Sequence, residues 1–331
     1  MAEMIMDQQR TAILVTGATG FVGRALVRRL RQRGDAVTAW VRDKARAAAI
    51  LGDGIALLSE DDGESALQRA AQQAEGIVNL AGESVAGGRW NLERKRALFD
   101  SRITTTAKIV TGLSRRDQPA ALVSASAIGI YGDRGDVWLD ERTSYGGDFL
   151  ADLCDRWERH ALEARHFGHR VATIRIGIVL GRDGGALQKM LPAHRLGLGG
   201  PLGSGAQFVS WIHLDDLVEV LVCALDDPRY QGPINAVSDE PVTSSVFSKR
   251  LGRALNRPAV LKVPRLALRL MVGAGSAALV SSQRVRPARL GDLGFRWRYP
   301  TLTGALEHLI GKDPSARDQQ NDNHRETRAR S

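Results

Sequence analysis

The stretch Ile13-Leu-Val-Thr-Gly17-Ala-Thr-Gly20-Phe-Val-Gly23, running into Arg24-Ala-Leu-Val-Arg-Arg-Leu-Arg31, decides how this chain is read. Its first four residues are apolar or β-branched and predict a buried strand. Phe21, Val22, Ala25, Leu26 and Leu30 then recur at helical spacing, and Gly34 stands where a helix C-cap glycine belongs. Each glycine between strand and helix has its own task. Gly17 permits the sharp turn, Gly20 leaves no Cβ where a diphosphate must approach backbone, and Gly23 lets the helix lie close on the strand. Unpaired N–H groups and the positive end of the helix dipole would then meet the phosphates. Because 35 glycines are spread along the chain, the triplet alone says little; the strand before it and the helix after it make it a dinucleotide site.

The end of the second strand selects the dinucleotide. Val37-Thr-Ala-Trp-Val41 is that strand, and sites specific for NAD place Asp or Glu at its end to accept from the ribose 2′-hydroxyl. Arg42 follows here instead, with Lys44 and Arg46 nearby. A guanidinium cannot accept from a hydroxyl but pairs well with a 2′-phosphate, so NADP(H) is expected in preference to NAD(H). Two other readings stay open: Asp43 turned toward the ribose, or Arg42 to Arg46 as a solvated helix start.

The 331 residues suffice for a large α/β domain with an appendage, and a core of that size needs no disulfide or metal staple. Cys154 and Cys223 lie in helix-like stretches without metal-ligand spacing and read as reduced packing residues, so a cytoplasmic protein is expected, with no metal. Met1 to Arg10 has no long apolar core, so neither a signal peptide nor a membrane anchor is expected. The net charge of +9 gathers late: between Lys249 and Arg298, Asp292 is the one acidic residue. Those bases are interleaved with Leu, Val and Pro and carry no nucleic-acid-binding signature, so a basic rim around an anionic cofactor or substrate explains them, and no nucleic-acid partner is expected.

After the second strand, strand and helix patterns keep alternating, which predicts a Rossmann-type, doubly wound parallel sheet. Gly76-Ile-Val-Asn-Leu-Ala-Gly82, Ala120-Ala-Leu-Val-Ser124 and Arg170 to Ile176 read as further strands. Leu92 to Leu113, Asp148 to Phe167 and Leu217 to Leu225 read as helices, the last capped by Asp215 or Asp216. The expected layout is a disordered 1–10, a nucleotide-binding domain over 11–240 with substrate loops from 177 on, a smaller C-terminal α+β domain over 241–311, and a disordered tail over 312–331. Helices are expected in that C-terminal part at Phe247 to Leu255, Pro264 to Val272 and Leu302 to Ile310.

Ligands of open α/β sheets bind outside the carboxyl ends of the strands. That gathers Gly17, Thr19, Gly20, Phe21, Val22 and Gly23, then Arg42, then Leu80, Ala81, Gly82 and Glu83, and finally Ser124 around the cofactor. Ser126, near the end of the same strand as Ser124, is the candidate to reach a substrate carbonyl or carbinol beside the nicotinamide; either serine could instead only cap backbone.

These residues resemble the extended short-chain dehydrogenase/reductase superfamily, which includes nucleotide-sugar epimerases and dehydratases. The resemblance lies in Thr16-Gly17-x-x-Gly20-x-x-Gly23, Asn79-Leu-Ala-Gly82, Ser124-Ala-Ser126 with Tyr131-Gly132, and Trp211-Ile-His213-x-Asp215-Asp216. Asn79-Leu-Ala-Gly-Glu-Ser84, Arg195 to Gly205 and Gln283-Arg-Val-Arg-Pro287 are similar to an atypical, epimerase-like subgroup with an extra C-terminal domain. The resemblance implies an NAD(P)-dependent epimerase or oxidoreductase acting on a small carbonyl or nucleotide-sugar-like substrate, as a monomer or homodimer. It also implies a catalytic Ser with a Tyr and, four residues later, a Lys. Here Phe149 or Leu150 falls at the tyrosine and Leu153 or Cys154 at the lysine, and none of these can move the proton. The replacement candidates are Tyr131, Tyr145 and His213, the last because imidazole titrates near neutrality. Glu83 could hold a cofactor hydroxyl or cap the next segment, and Arg102, Arg175 and Lys189 are candidate anion contacts or, each of them sooner, ordinary surface or packing residues. A sensor of NADP(H) without turnover is the alternative function.

Overall fold

The computed structural model describes residues 11–85, 90–264 and 280–311. The expectations for 1–10 and 312–331, and all of the Pro264 to Val272 helix except Pro264, lie outside the described residues.

The elements run β1 (Ala12–Thr16), α1 (Phe21–Arg33), β2 (Ala36–Trp40), α2 (Lys44–Leu51), β3 (Ala56–Leu58), α3 (Ala66–Gln73), β4 (Gly76–Asn79), α4 (Leu92–Leu113), β5 (Ala121–Ala127), β6 (Trp138–Leu139), α5 (Phe149–Leu162) and β7 (Arg170–Ile176). They continue with β8 (Ile178–Gly181), α6 (Gly185–Arg195), β9 (Phe208–Val209), β10 (Trp211–His213), α7 (Leu214–Asp226), β11 (Gly232–Ala236), β12 (Val242–Thr243), α8 (Ser244–Ala254), β13 (Arg284–Val285), α9 (Ala288–Asp292) and α10 (Leu302–Ile310).

Seven strands form one sheet in the order β11-β7-β5-β4-β1-β2-β3, every pair parallel. This is the doubly wound Rossmann arrangement, and alternation along β1 shows why both faces are covered. Ile13 and Val15 point to a core shared with Leu26, Leu30 and Leu221 of α1 and α7, while Leu14 points to one shared with Leu67, Ile109 and Ala161 of α3, α4 and α5. Three-residue β3 has no counterpart in the sequence reading, being too short for alternation to register.

The C-terminal part builds a third core from Leu180, Trp211, Phe247, Leu251, Leu302 and Leu306. It is stitched to the sheet's loops by small ladders, β12 antiparallel to β9 and β13 parallel to β6.

Candidate functional site

The glycine turn is built for close approach. Gly17 has φ +67°, and a Cβ there would stand 2.5 Å from the Leu80 carbonyl oxygen. At Gly23 a Cβ would stand 2.2 Å from the Gly17 oxygen, so that glycine is what lets α1 seat on β1. Gly20 differs: its Cβ would meet nothing nearer than the Gly17 oxygen at 3.1 Å, so the space it leaves is open to a ligand. Thr19 lies in the turn, and Gly20 is the N-cap of α1. The first backbone bond into the helix is Arg24 N–H to the Gly20 carbonyl, so the N–H groups of Phe21, Val22 and Gly23 precede the ladder and are free to meet phosphate. The Phe21 ring is no part of that cradle. It packs where Cβ atoms of Gly181, Gly184 and Gly185 would be, 2.5 to 2.9 Å from its carbons.

Arg42 leaves the end of β2 with its side chain 92% exposed, bonded at 2.8 Å to Glu83. Arg94 meets the other oxygen of Glu83 at 3.3 Å, so Glu83 bridges two guanidinium groups across the loops after β2 and β4. Asp43, the rival reader of the ribose, is spent as the N-cap of α2, accepting from Arg46 N–H at 2.9 Å. Lining the same region, Leu80 donates to the Thr16 carbonyl and Ala81 to the Thr16 hydroxyl. Below Gly82 the Arg102 guanidinium occupies the space a Cβ would need, at 2.8 Å. Arg102 donates to the Leu98 and Glu83 carbonyls and lies over the Trp157 ring, and burial lowers its pKa. Of the two readings open from sequence, anion contact or packing residue, its surroundings are those of a packing residue.

Buried Asn79 ties the strand ends together. It accepts from Thr16 Oγ1 at 2.7 Å and donates to Thr106 Oγ1 at 2.8 Å and, at 3.4 Å, to Ser124 Oγ. The Trp157 indole also donates to Thr106. Ser124 thus belongs to the network fixing β1, β4 and β5 against α4.

Ser126 is likewise turned toward a helix, 3% exposed, donating to Glu158 Oε1 at 2.7 Å. Arg175 pairs with both oxygens of Glu158, Nε at 2.8 Å and Nη2 at 2.9 Å, with the two side chains 1% and 3% exposed. Its Nη1 donates to the Tyr131 hydroxyl at 2.9 Å, which donates to Asn235 Oδ1 at 2.7 Å. These contacts span β5, β7, β11 and α5, since Ser126 pairs in register with Arg175 and Arg175 with Asn235. Burial pushes the Tyr131 phenol up to about 12, against the pull of Arg175. Burial also opposes the charge on Arg175, but the bonds and charge of Glu158 more than offset it and its pKa is raised. Arg175 is therefore an internal cation whose carboxylate partner is Glu158.

One arm of the cluster reaches solvent. Arg175 Nη2 donates to the Tyr145 hydroxyl at 3.3 Å, and Tyr145 is 45% exposed on the loop before α5. Phe149, at the expected tyrosine position, sits edge-on to Trp90 and Phe99 with Lys95 over its ring. Leu153 and Cys154 are buried. Sequence reasoning missed Glu158, whose signal was an acid on the apolar stripe of α5 with Cys154, Trp157 and Ala161.

His213 does different work. It, not Asp215 or Asp216, is the N-cap of α7: its Nδ1 accepts from Asp215 N–H at 3.0 Å. Asp216 instead receives the N–H groups of Arg298 and Tyr299, fastening the C-terminal part. With Nδ1 accepting, the neutral ring of His213 carries its proton on Nε2 and donates to His308 Nδ1 at 3.1 Å. Burial, then the neighbouring His308 ring and the cations Arg298 and Arg182, push His213 down to about 3. It stacks on Tyr299 at 3.9 Å and is 1% exposed. None of its partners belongs to the Ser126 cluster. His213, Asp215 and His308 hold ligand-type atoms within 4.8 Å of one another, but a metal on Nε2 would force the proton onto Nδ1, against the Asp215 N–H. The cap and a metal exclude each other.

A three-glycine turn at the end of β1, an exposed cation after β2 and a seven-stranded parallel sheet define a Rossmann-type nicotinamide-dinucleotide protein. Residues 13–236 match the NAD dependent epimerase/dehydratase family, and residues 263–309 match a domain of unknown function, DUF1731. The chain belongs to that epimerase/dehydratase family. It is 40% identical over 92% of its length to the chloroplastic epimerase family protein SDR39U1 homolog of Arabidopsis thaliana, of which 88% is covered. The human epimerase family protein SDR39U1, solved with NADPH, superposes with TM-score 0.81 at 31% identity, over 92% of this chain and all of that one. A nucleoside-diphosphate sugar epimerase of Corynebacterium glutamicum superposes with TM-score 0.72 at 31% identity, over 97% of this chain and 67% of that one. Among the described residues no helix is long and apolar enough to cross a membrane.

Proposed function

We propose that the protein binds NADP(H) in preference to NAD(H) and uses it in redox or epimerase chemistry on a small carbonyl or nucleotide-sugar-like substrate. The observation that carries this is the exposed Arg42 after β2, with Asp43 withdrawn into a helix cap. The human relative solved with NADPH supports the choice of dinucleotide. The Gly20 opening and the N–H groups of Phe21, Val22 and Gly23 would hold the diphosphate, Arg42 and Glu83 the adenosine ribose side, and the cofactor supplies the hydride.

The proton step falls to Tyr145, the phenol of the Arg175 cluster that reaches solvent, with Ser126, Glu158 and Tyr131 positioning Arg175 behind it. The reading extends to a cytoplasmic monomer or homodimer, the first part supported by two free cysteines. The internal pairing of Ser126 and Tyr131 favours a second reading, an NADP(H) sensor without turnover. Oxidation of NADPH against a panel of carbonyl compounds and nucleotide sugars separates them. Turnover lost in Tyr145→Phe at unchanged NADPH affinity supports the enzyme; no turnover with any member of the panel leaves the sensor.

A further inference from the structure

A second basic hollow lies along α1, and the glycines of the turn do not line it. It has a volume of about 590 Å³ and is walled by α1, the end of α2, the Gly181–Asp183 corner, the start of α7 and the end of α10. Neither Gly17, Gly20, Arg42 nor Glu83 lines it. Arg24, Arg28 and Arg31 enter from one stripe of α1 and Arg182 from the opposite wall, against the acids Asp183 and Asp215.

The pairing of arginines on α1 separates this stripe from its neighbour. Arg29 is paired with Glu219 and Arg33 with Asp35 and Asp226. Among the described residues Arg24, Arg28, Arg31 and Arg182 have no carboxylate at ion-pair distance; Arg31 and Arg182 donate only to the carbonyls of Leu51 and His308. Arg24 Nε is enclosed and without a hydrogen-bond partner. Four like charges around one hollow repel, and an anion there relieves the repulsion. Guanidinium forks match phosphate oxygens two at a time. Val27, Ile50, Leu51 and Leu309 supply an apolar wall for the rest of a ligand.

We propose that this hollow is a second ligand site, taking the phosphate or diphosphate group of a small phosphorylated molecule and tying α10 of the C-terminal part to α1. Of the residues assigned to the cofactor only Phe21 lines the hollow, and none of the arginines that carry this inference is among them.

The test is a titration of the full chain with inorganic pyrophosphate, followed by the NMR signals of the His308 ring, which is half the His213–His308 pair at the hollow's edge. A saturating shift with a dissociation constant below about 1 mM is expected. Arg24→Gln with Arg28→Gln, and separately Arg182→Gln, weaken it at least tenfold, while Arg42→Ala leaves it unchanged. No shift by about 10 mM pyrophosphate, or an equal shift in both arginine variants, overturns the proposal. So does loss in Arg42→Ala, which would place the anion beside Arg42 at the end of β2.

Discussion

The two ends of the candidate site are made differently. At the cofactor end the working parts are backbone: an open position at Gly20, N–H groups ahead of a helical ladder, and one exposed cation at Arg42. At the β5–α5 end the polar side chains are consumed by one another, Ser126 and Arg175 on Glu158 and Tyr131 between Arg175 and Asn235. Backbone geometry needs a few glycines and survives change elsewhere. Side-chain chemistry depends on which groups face outward, and here burial has turned a serine and a tyrosine into struts.

The largest effect should come from breaking those struts. Glu158→Ala leaves Arg175 charged and unpaired in the interior and should cost about 3–5 kcal/mol in urea unfolding. A loss below about 1 kcal/mol would mean that the pair is solvated and the contrast between the ends is wrong. Next comes Gly23→Ala, whose methyl meets the Gly17 oxygen and the Ala18 backbone; it should cost about 1–3 kcal/mol and NADPH affinity together. Affinity kept at wild-type level would show that α1 can lift without disturbing the cradle.

A third effect concerns acid. His213 is held neutral in the fold, with its pKa depressed to about 3, whereas in the unfolded chain it titrates near 6.5. The unfolded state therefore binds the extra proton first as pH falls. This contribution is intact above pH 6.5 and is lost toward pH 3, by at most about 1.4 kcal/mol per pH unit. His213→Gln should flatten that limb of the stability curve, and an unchanged slope would remove His213 from the account.

The cofactor end was legible because its rules are local. Strand, turn and helix lie within about twenty residues of one another, and Gly34, with φ +88°, closes α1 where its type and spacing indicated. Arg42 could be read for the same reason. The β5–α5 end could not, because Ser126, Glu158, Arg175 and Asn235 meet only after four elements have packed. Two traces were still present in sequence: Glu158 on an apolar helical stripe and Arg175 inside an otherwise buried strand, each needing a partner that the other supplies. The residue type of His213 suggests titration, and its position before α7 makes it a cap.

The smallest change bears most directly on the central claim that the glycine turn and Arg42 form an NADP(H) site. Equilibrium fluorescence titration with NADPH and NADH should show tighter binding of NADPH, and Arg42→Ala should lower NADPH affinity roughly tenfold or more, the loss of a charge-assisted contact, with NADH affinity and stability unchanged. Equal affinity for both dinucleotides in wild type, or an unaltered NADPH affinity in Arg42→Ala, would contradict it.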